Sequence, residues 1–141
     1  MAIIDGKWLG AALIVFYDKK RNILLEKDQK RSKDGEEYSF FGGGIESGES
    51  PEMALVREIK EELTYDLKEF QFVTQYSIKV EGAAEGLVHL YVSPFPGFDK
   101  IKLADSAGME LVSIDEAKNL KMFDSAYPAL DKVEEYLNKS N

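Results

Sequence analysis

Apolar positions along the chain follow two patterns, one typical of β-strands and one typical of helices. Short runs rich in β-branched and aromatic residues predict strands, because such side chains pack well on a pleated sheet. These runs lie at residues 8–17, 23–27, 69–80, 86–93 and 108–114, with a shorter extended run at 38–41. Polar residues 18–22 predict a turn that joins the first two strands as a hairpin. Residues 28–37 and 94–108 show no periodicity and predict loops.

The clearest helix is predicted to begin at Ser50 and Pro51 and to end near residue 63. Serine can cap a helix by accepting a backbone N–H, and proline suits the first helical position. The helical repeat places a group of apolar residues on one stripe, which we expect to face the core. This stripe consists of Leu55, Val56, Ile59 and Leu63.

Two further helices are predicted near the C-terminus. Ser113 and Glu116 have the spacing of a capping box and predict the start of a short helix. Residues 125–139 predict an amphipathic helix, with Leu130 and Val133 on its apolar side. Because no repeat or linker interrupts the pattern, we expect residues 1–141 to form a single domain.

The composition limits the class of protein. The chain has 141 residues and a formal net charge of −8. An acidic protein lacks the basic footprint that nucleic acid requires, so we expect no nucleic-acid partner. No apolar run approaches the roughly 20 residues of a membrane helix, and the first residues do not resemble a signal peptide. We therefore expect a cytoplasmic protein without a membrane partner.

Absent and rare residue types narrow the chemistry. The chain contains no cysteine, which excludes disulfides, thiolate metal sites and a cysteine nucleophile. Its one histidine, His89, lies in a predicted strand, where a structural role is commoner than a catalytic one. A basic patch of Lys30, Arg31 and Lys33 is either a solvated loop or a lip that contacts phosphate.

A glycine run followed by an acidic helix is the most informative stretch. Glycines 42–44 lack Cβ atoms, so their backbone can approach a ligand or an ion closely. In the helix that follows, Glu58, Glu61 and Glu62 fall within one arc. One interpretation is a solvated acidic face. The other is a divalent-cation site, because clustered carboxylates repel one another unless a cation neutralises them, and hard cations prefer oxygen ligands.

The spacing of this stretch resembles the Nudix hydrolase signature. The matching positions are Gly43, Glu49, Arg57, Glu58, Ile59, Glu61 and Glu62, and the lead-in Gly42, Glu46 and Gly48 is present as well. The resemblance covers the whole chain in length and element order. It implies an α/β fold, namely an α/β/α sandwich with a mixed central sheet rich in antiparallel pairs and a catalytic loop-helix at 42–63.

The resemblance also implies a reaction. Nudix hydrolases use Mg²⁺ or Mn²⁺ to hydrolyse a nucleoside diphosphate linked to another moiety. Carried over by position, Glu58 and Glu62 are the main metal ligands, Glu61 is a third ligand or a water contact, and the Gly42 carbonyl is a backbone ligand. Family members often add a carboxylate from a later loop, and Asp105 is the first choice here, with Glu110 as reserve.

The remaining roles follow from the same resemblance. Arg57 is expected to pair with Glu49 and to orient the catalytic glutamate. Glu58 is the first choice as general base, although it could instead act solely as a ligand. The chain departs from the pattern at Thr64, where the signature has glycine. Because a β-branched residue is strained at positive φ, we expect the helix to end there without a left-handed residue. A second departure is Phe41, where many members have proline.

The substrate class is less determined than the reaction. We expect a small soluble nucleotide such as a (deoxy)nucleoside triphosphate, with ADP-ribose, nucleotide sugars and dinucleoside polyphosphates as alternatives. Aromatic residues that could stack on a base, or instead belong to the core, are Tyr38, Phe40, Phe98 and Tyr127. Residues 123–127 lack the asparagine by which relatives that remove oxidised guanine nucleotides read the base. Other interpretations are a catalytically silent Nudix domain that senses nucleotides, and an RNA-end pyrophosphohydrolase. The chain could be a monomer or a homodimer.

Overall fold

The computed structural model describes residues 3–4, 7–8, 10–28, 35, 37–78, 86–104 and 108–139. In this described part of the chain, six strands precede the first helix, three strands follow it, and two helices end the chain. The elements are β1 (Ile3–Ile4), β2 (Lys7–Trp8), β3 (Ala11–Tyr17), β4 (Asn22–Lys27), β5 (Tyr38–Ser39), β6 (Phe41–Gly44), α1 (Pro51–Leu63), β7 (Gln71–Ile78), β8 (Gly86–Pro94), β9 (Gly108–Ser113), α2 (Ile114–Lys118) and α3 (Tyr127–Lys139). One-turn 3₁₀ helices lie at Phe98–Lys100 and Asp124–Ala126.

The sheet of the described residues has seven strands and mixed pairing. Its main path runs β5-β4-β3-β8-β7, while β6 pairs with β3 and β9 pairs with β4. Strands β3 and β8 are parallel along the whole length of β3, and the other pairs are antiparallel. The predicted hairpin of β3 and β4 meets only at Tyr17 and Ile23, because β6 occupies the rest of that edge of β3.

Two apolar layers cover the two faces of this sheet. Alternate residues of a strand point to opposite faces, so β3 contributes to both. Ala12, Ile14 and Phe16 pack with α1, whereas the residues between them, such as Leu13, pack with α2 and α3. The α/β/α sandwich and the mixed sheet implied by the resemblance are therefore confirmed. Among the helices of the described residues, none is long and apolar enough to cross a membrane.

Two sequence-based expectations differ from the structure in detail. The run predicted as one strand at 8–17 is interrupted at Gly10, whose φ is +127°. Val56, expected on the core stripe of α1, is partly exposed, because it lies at the edge of the stripe. Phe41 is fully buried in the layer beside α1. The basic patch at Lys30, Arg31 and Lys33 lies outside the described residues.

The expectation for Thr64 is wrong. It caps α1 in the left-handed conformation, with φ 52° and ψ 41°. The cause is tertiary: the backbone N–H groups of Lys102 and Ala104 bond the carbonyls of Leu63 and Glu62 at 2.8 and 2.9 Å. These bonds satisfy two of the carbonyls that have no partner within the helix at its C-terminal end. They also hold Thr64 in a backbone geometry that glycine would adopt more easily.

Candidate active site

The glycine strand β6 brings the loop before α1 to the centre of the sheet. Gly42 and Gly43 pair with Leu13 and Ala12 of β3, so the backbone of β6 is fixed by ladder hydrogen bonds. The chain then turns into α1, where the Ser50 side chain accepts the N–H of Met53 at 3.1 Å, as the capping pattern predicted. The acidic helix is thus anchored beside the glycine strand.

Two glycines are required by close contacts. Gly42 has φ +136°, and a Cβ on it would overlap the carbonyl of Ala12. A Cβ on Gly43 would lie 2.5–2.7 Å from the carboxylate atoms of Glu58. The carboxylate of Glu58 therefore rests directly on the Gly43 backbone, in space that a larger residue would fill.

Arg57 is the centre of a network that connects the loop to the helix. Its Nε and Nη2 donate to both oxygens of Glu49, at 2.7 and 2.9 Å, and Nη2 also donates to the Gly44 carbonyl at 3.0 Å. Its Nη1 donates to Glu58 at 2.9 Å and lies 3.4 Å from Glu61. One guanidinium therefore orders three carboxylates, which is the arrangement for which a planar fork of donors is suited.

The contacts of this network shift the pKa values of Glu49 and Glu58 in opposite directions. The hydrogen bonds from Arg57, aided by the N–H of Glu46, lower the pKa of Glu49 to about 2. Burial raises the pKa of Glu58, and Arg57 offsets part of that effect. Glu49 is therefore a permanent anion paired with Arg57, whereas Glu58 has the higher proton affinity of the two.

Glu62 joins the same cluster through a contact that does not involve Arg57. Its Oε1 accepts the N–H of Gly42 at 2.9 Å, so its carboxylate lies against the glycine strand. Its neighbour in the arc, Glu61, is well exposed, with 59% of its side chain accessible. The structure thus brings Glu58, Glu61 and Glu62 to one side of α1, beside Gly42.

The donor chemistry of this cluster fits a hard divalent cation. Carboxylates and a backbone carbonyl are the ligands that Mg²⁺ and Mn²⁺ prefer. Within the described ranges, no three acidic or histidine side chains already converge at metal-binding distances. Glu58 and Glu61 do not converge with Glu62 because their carboxylates turn toward Arg57.

Two carboxylates that follow α1 in the sequence are candidates for a further metal ligand. Asp105, predicted as a metal ligand, lies outside the described residues. Ala104, the described residue before it, donates its N–H to the carbonyl of Glu62 at 2.9 Å. Glu110, the reserve choice, lies in β9 opposite Leu25 and contacts Tyr38, whose pKa is raised by burial and by this carboxylate.

A small cavity opens on the other face of the glycine strand. Its volume of about 50 Å³ admits a small substituent but not a whole base or sugar, and its polar lining includes two serines that the sequence pattern did not reveal. The lining residues are Ala11, Leu13, Ser39, Phe40, Gly42, Gly43, Ile78, Val88 and Ser125. Of the predicted stacking candidates, Phe40 lines this cavity, while Phe98 packs edge-to-face on Phe95 and the hydroxyl of Tyr127 accepts the N–H of Met122.

His89 lies away from this cluster. It is half-buried in β8, and burial lowers the pKa of its imidazole. It lines an open cleft of about 520 Å³ with Glu52 and Tyr91, which hydrogen-bond each other. No pattern in the sequence indicated this cleft, because its residues come from α1, β7 and β8.

The fold and the cluster define a class: α/β/α domains in which a glycine-rich strand precedes an acidic helix organised by one arginine. The NUDIX domain model matches residues 7–133, and the chain belongs to this family.

Known proteins agree with this assignment. The chain is 37% identical over 65 residues to the 8-oxo-dGTP diphosphatase of Proteus vulgaris, across 46% of this chain and 58% of the relative. It is 33% identical over 87 residues to the CTP pyrophosphohydrolase of Escherichia coli (strain K12), across 62% of this chain and 61% of the relative. The matches therefore span under two thirds of these relatives. The crystal structure of the MutT protein from Methanosarcina mazei Go1 has the same fold, with a TM-score of 0.75, 14% identity and 99% coverage of each chain.

Proposed function

We propose that this protein hydrolyses the pyrophosphate bond of a nucleoside diphosphate linked to another moiety, with Mg²⁺ or Mn²⁺ as cofactor. The observation that carries the proposal is the cluster of Glu58, Glu61 and Glu62 on one side of α1, in which Arg57 contacts Glu58 and Glu61 and the Gly42 N–H holds Glu62. The two curated relatives described above are named for nucleotide-pyrophosphate hydrolysis, which supports the same reaction class.

The proposed roles follow from the contacts. Glu58 and Glu62 are the main metal ligands, with Glu61, the Gly42 carbonyl and Asp105 completing the site. A bound divalent cation would neutralise phosphate charge and lower the pKa of the attacking water. Glu58 is the preferred general base, because Arg57 Nη1 and the Gly43 backbone hold its carboxylate within the proposed metal site, where it can accept a proton from the attacking water.

Arg57 and Glu49 act as positioning residues in this proposal. The pair fixes the guanidinium between the loop and the helix, and Nη1 then holds Glu58 on the Gly43 backbone. Rigid placement of this kind matters because catalytic groups lose rate steeply when displaced.

For the substrate we propose a small soluble nucleotide, with nucleoside triphosphates preferred over ADP-ribose or nucleotide sugars. Relatives named for 8-oxo-dGTP and CTP support a triphosphate. The two serines of the small cavity, Ser39 and Ser125, could hydrogen-bond a substituent of a nucleotide bound beside the glycine strand. An RNA end is disfavoured because the net charge of −8 leaves little basic surface to follow a long polyanion. A silent nucleotide sensor is disfavoured by the complete set of carboxylates.

A phosphate-release screen tests the proposal, with inorganic pyrophosphatase added for the triphosphates and alkaline phosphatase for ADP-ribose and the nucleotide sugars, so that each product yields free phosphate. A panel of nucleoside triphosphates, ADP-ribose and nucleotide sugars is incubated with Mg²⁺ or Mn²⁺, using wild type, Glu62→Gln and the control Glu135→Gln on α3. We expect turnover of a triphosphate that Glu62→Gln abolishes and Glu135→Gln preserves. No turnover of any compound would favour the sensor interpretation, and turnover that survives Glu62→Gln would overturn the site assignment.

A further inference from the structure

A second cleft lies at the N-terminal end of α1, and its lining does not include Glu58, Glu61 or Glu62. Its volume of about 520 Å³ is within the range of small-molecule sites. The first turn of α1 forms one wall with Pro51 and Glu52, and the other wall comes from β7, β8 and the residue just before β7. The proposed hydrolysis uses none of these residues.

Three aromatic rings build the second wall. Tyr91 stands edge-to-face with Phe70 and with Phe72, at centroid distances of 5.5 and 5.6 Å. Tyr91 is itself buried, whereas Phe72 is 54% exposed. Phe72 therefore supplies the accessible aromatic surface of the cleft.

A carboxylate completes the site. Glu52 accepts the hydroxyl of Tyr91, and none of the lysines and arginines that the structure describes pairs with it. His89 adds no positive charge near neutral pH, because burial lowers the pKa of its imidazole. A carboxylate that no described lysine or arginine pairs with, beside the exposed ring of Phe72, is complementary to positive charge, and the net charge of −8 favours the approach of cations.

We propose that this cleft binds a small organic cation, with an alkylammonium or guanidinium group held between Glu52 and the exposed ring of Phe72. A compact cation satisfies both features at once: the carboxylate by charge and the ring by its quadrupole. An anion such as a phosphate would be repelled by Glu52. A neutral apolar ligand would leave the carboxylate without a counter-charge.

Titration with tetramethylammonium, followed by backbone amide NMR shifts, tests the proposal. The matched control ligand is tert-butanol, which has similar shape and no charge. We expect saturable shifts at Glu52, Phe72, His89 and Tyr91 with the cation and not with the alcohol. Equal shifts with the alcohol, or cation-induced shifts confined to the cluster around Glu58, would overturn the proposal.

Two surface variants measure separately how much the carboxylate and the aromatic ring contribute to cation binding. Glu52→Gln removes the charge, and Phe72→Leu removes a π-face while keeping apolar bulk. Each is expected to weaken cation binding by roughly 2- to 5-fold, the range of an exposed cation–π contact. The matched controls Glu135→Gln and Phe98→Leu should bind as wild type, and unchanged binding in both cleft variants would refute the site. Because hydrolysis is not measured, the outcome is independent of the proposed activity.

Discussion

The guanidinium of Arg57 meets the carboxylate of Glu49 in two parallel hydrogen bonds, from Nε to Oε2 at 2.7 Å and from Nη2 to Oε1 at 2.9 Å. A third bond from the same Nη2 reaches the carbonyl of Gly44 at 3.0 Å. Glu49 belongs to the loop and Arg57 to α1, so this fork locks the glycine strand, the loop and the acidic helix to one another. The geometry requires a planar donor with several N–H groups, which lysine lacks.

Arg57→Lys should therefore impair catalysis while leaving the fold intact. Lysine keeps the charge but can neither span both oxygens of Glu49 nor hold Glu58 in place. We expect kcat to fall by roughly 10- to 100-fold, as for other residues that position metal ligands, with a smaller change in KM. Steady-state kinetics on the best substrate measures this, and Arg21→Lys, on the surface, is the control. A kcat within about twofold of wild type would show that the fork is not needed.

The Glu49 pair also predicts how stability depends on pH. The pKa of Glu49 falls from 4.5 to about 2 in the folded protein. Because the folded value is the lower one, the contribution of the pair is complete above pH 4.5 and is lost as the pH falls toward 2. We expect wild type to lose more stability between about pH 5 and about pH 3 than Glu49→Gln, which has no carboxyl to protonate. Urea unfolding at both pH values measures the difference, and identical losses would contradict the prediction.

The contact between Gly43 and Glu58 predicts a loss of activity without unfolding. A Cβ at Gly43 would lie 2.5–2.7 Å from the Glu58 carboxylate, which is the movable end of a side chain. Gly43→Ala should push this carboxylate aside, cost no more than about 1 kcal/mol of stability, and reduce kcat roughly 100-fold. Gly108→Ala is the matched control, because no described atom lies within 4 Å of the position its added methyl group would take. Equal activity of Gly43→Ala and wild type would remove Glu58 from the mechanism.

The success and the failure of the sequence-based predictions have separate physical origins. Glu58, Glu61 and Glu62 could be placed together because one helix fixes their spacing, and the core alternation of β3 follows from the strand repeat. Thr64 could not be predicted, because its left-handed backbone is stabilised by hydrogen bonds to residues 102–104, far along the chain.

The cleft beside Glu52 and Tyr91 could not be predicted from the sequence for a related reason. The hydrogen bond between Glu52 and Tyr91 joins residues 39 positions apart, and it depends on β8 running parallel to β3 and beside β7. Local patterns describe elements, whereas strand order decides which distant side chains meet. The small cavity with Ser39 and Ser125 depends on strand order in the same way.

The left-handed cap predicts a stabilising substitution. Thr64 adopts φ 52°, where a β-branched residue is strained and glycine is not. We expect Thr64→Gly to raise the free energy of unfolding by about 0.5–1 kcal/mol, since relief of strain exceeds the added flexibility of the unfolded chain. Thr64→Val keeps the branched Cβ and should show no gain. Urea unfolding of the two variants measures this, and a Thr64→Gly protein less stable than wild type would mean that the hydroxyl contact with Lys102 dominates.

Metal binding should be visible as thermal stabilisation without any substrate. Glu58, Glu61 and Glu62 repel one another on one side of α1, and a divalent cation that binds the folded state alone relieves this repulsion. At about 100 times its dissociation constant, Mg²⁺ or Mn²⁺ should contribute about 2.7 kcal/mol, which raises Tm by several degrees.

Glu62→Gln is the informative variant, because its amide oxygen can still accept the Gly42 N–H while its charge is gone. We expect this variant to lose most of the shift and Glu135→Gln to retain it, with NaCl at equal ionic strength as the blank. A shift of equal size in Glu62→Gln would place the cation elsewhere and separate the carboxylate cluster from metal binding.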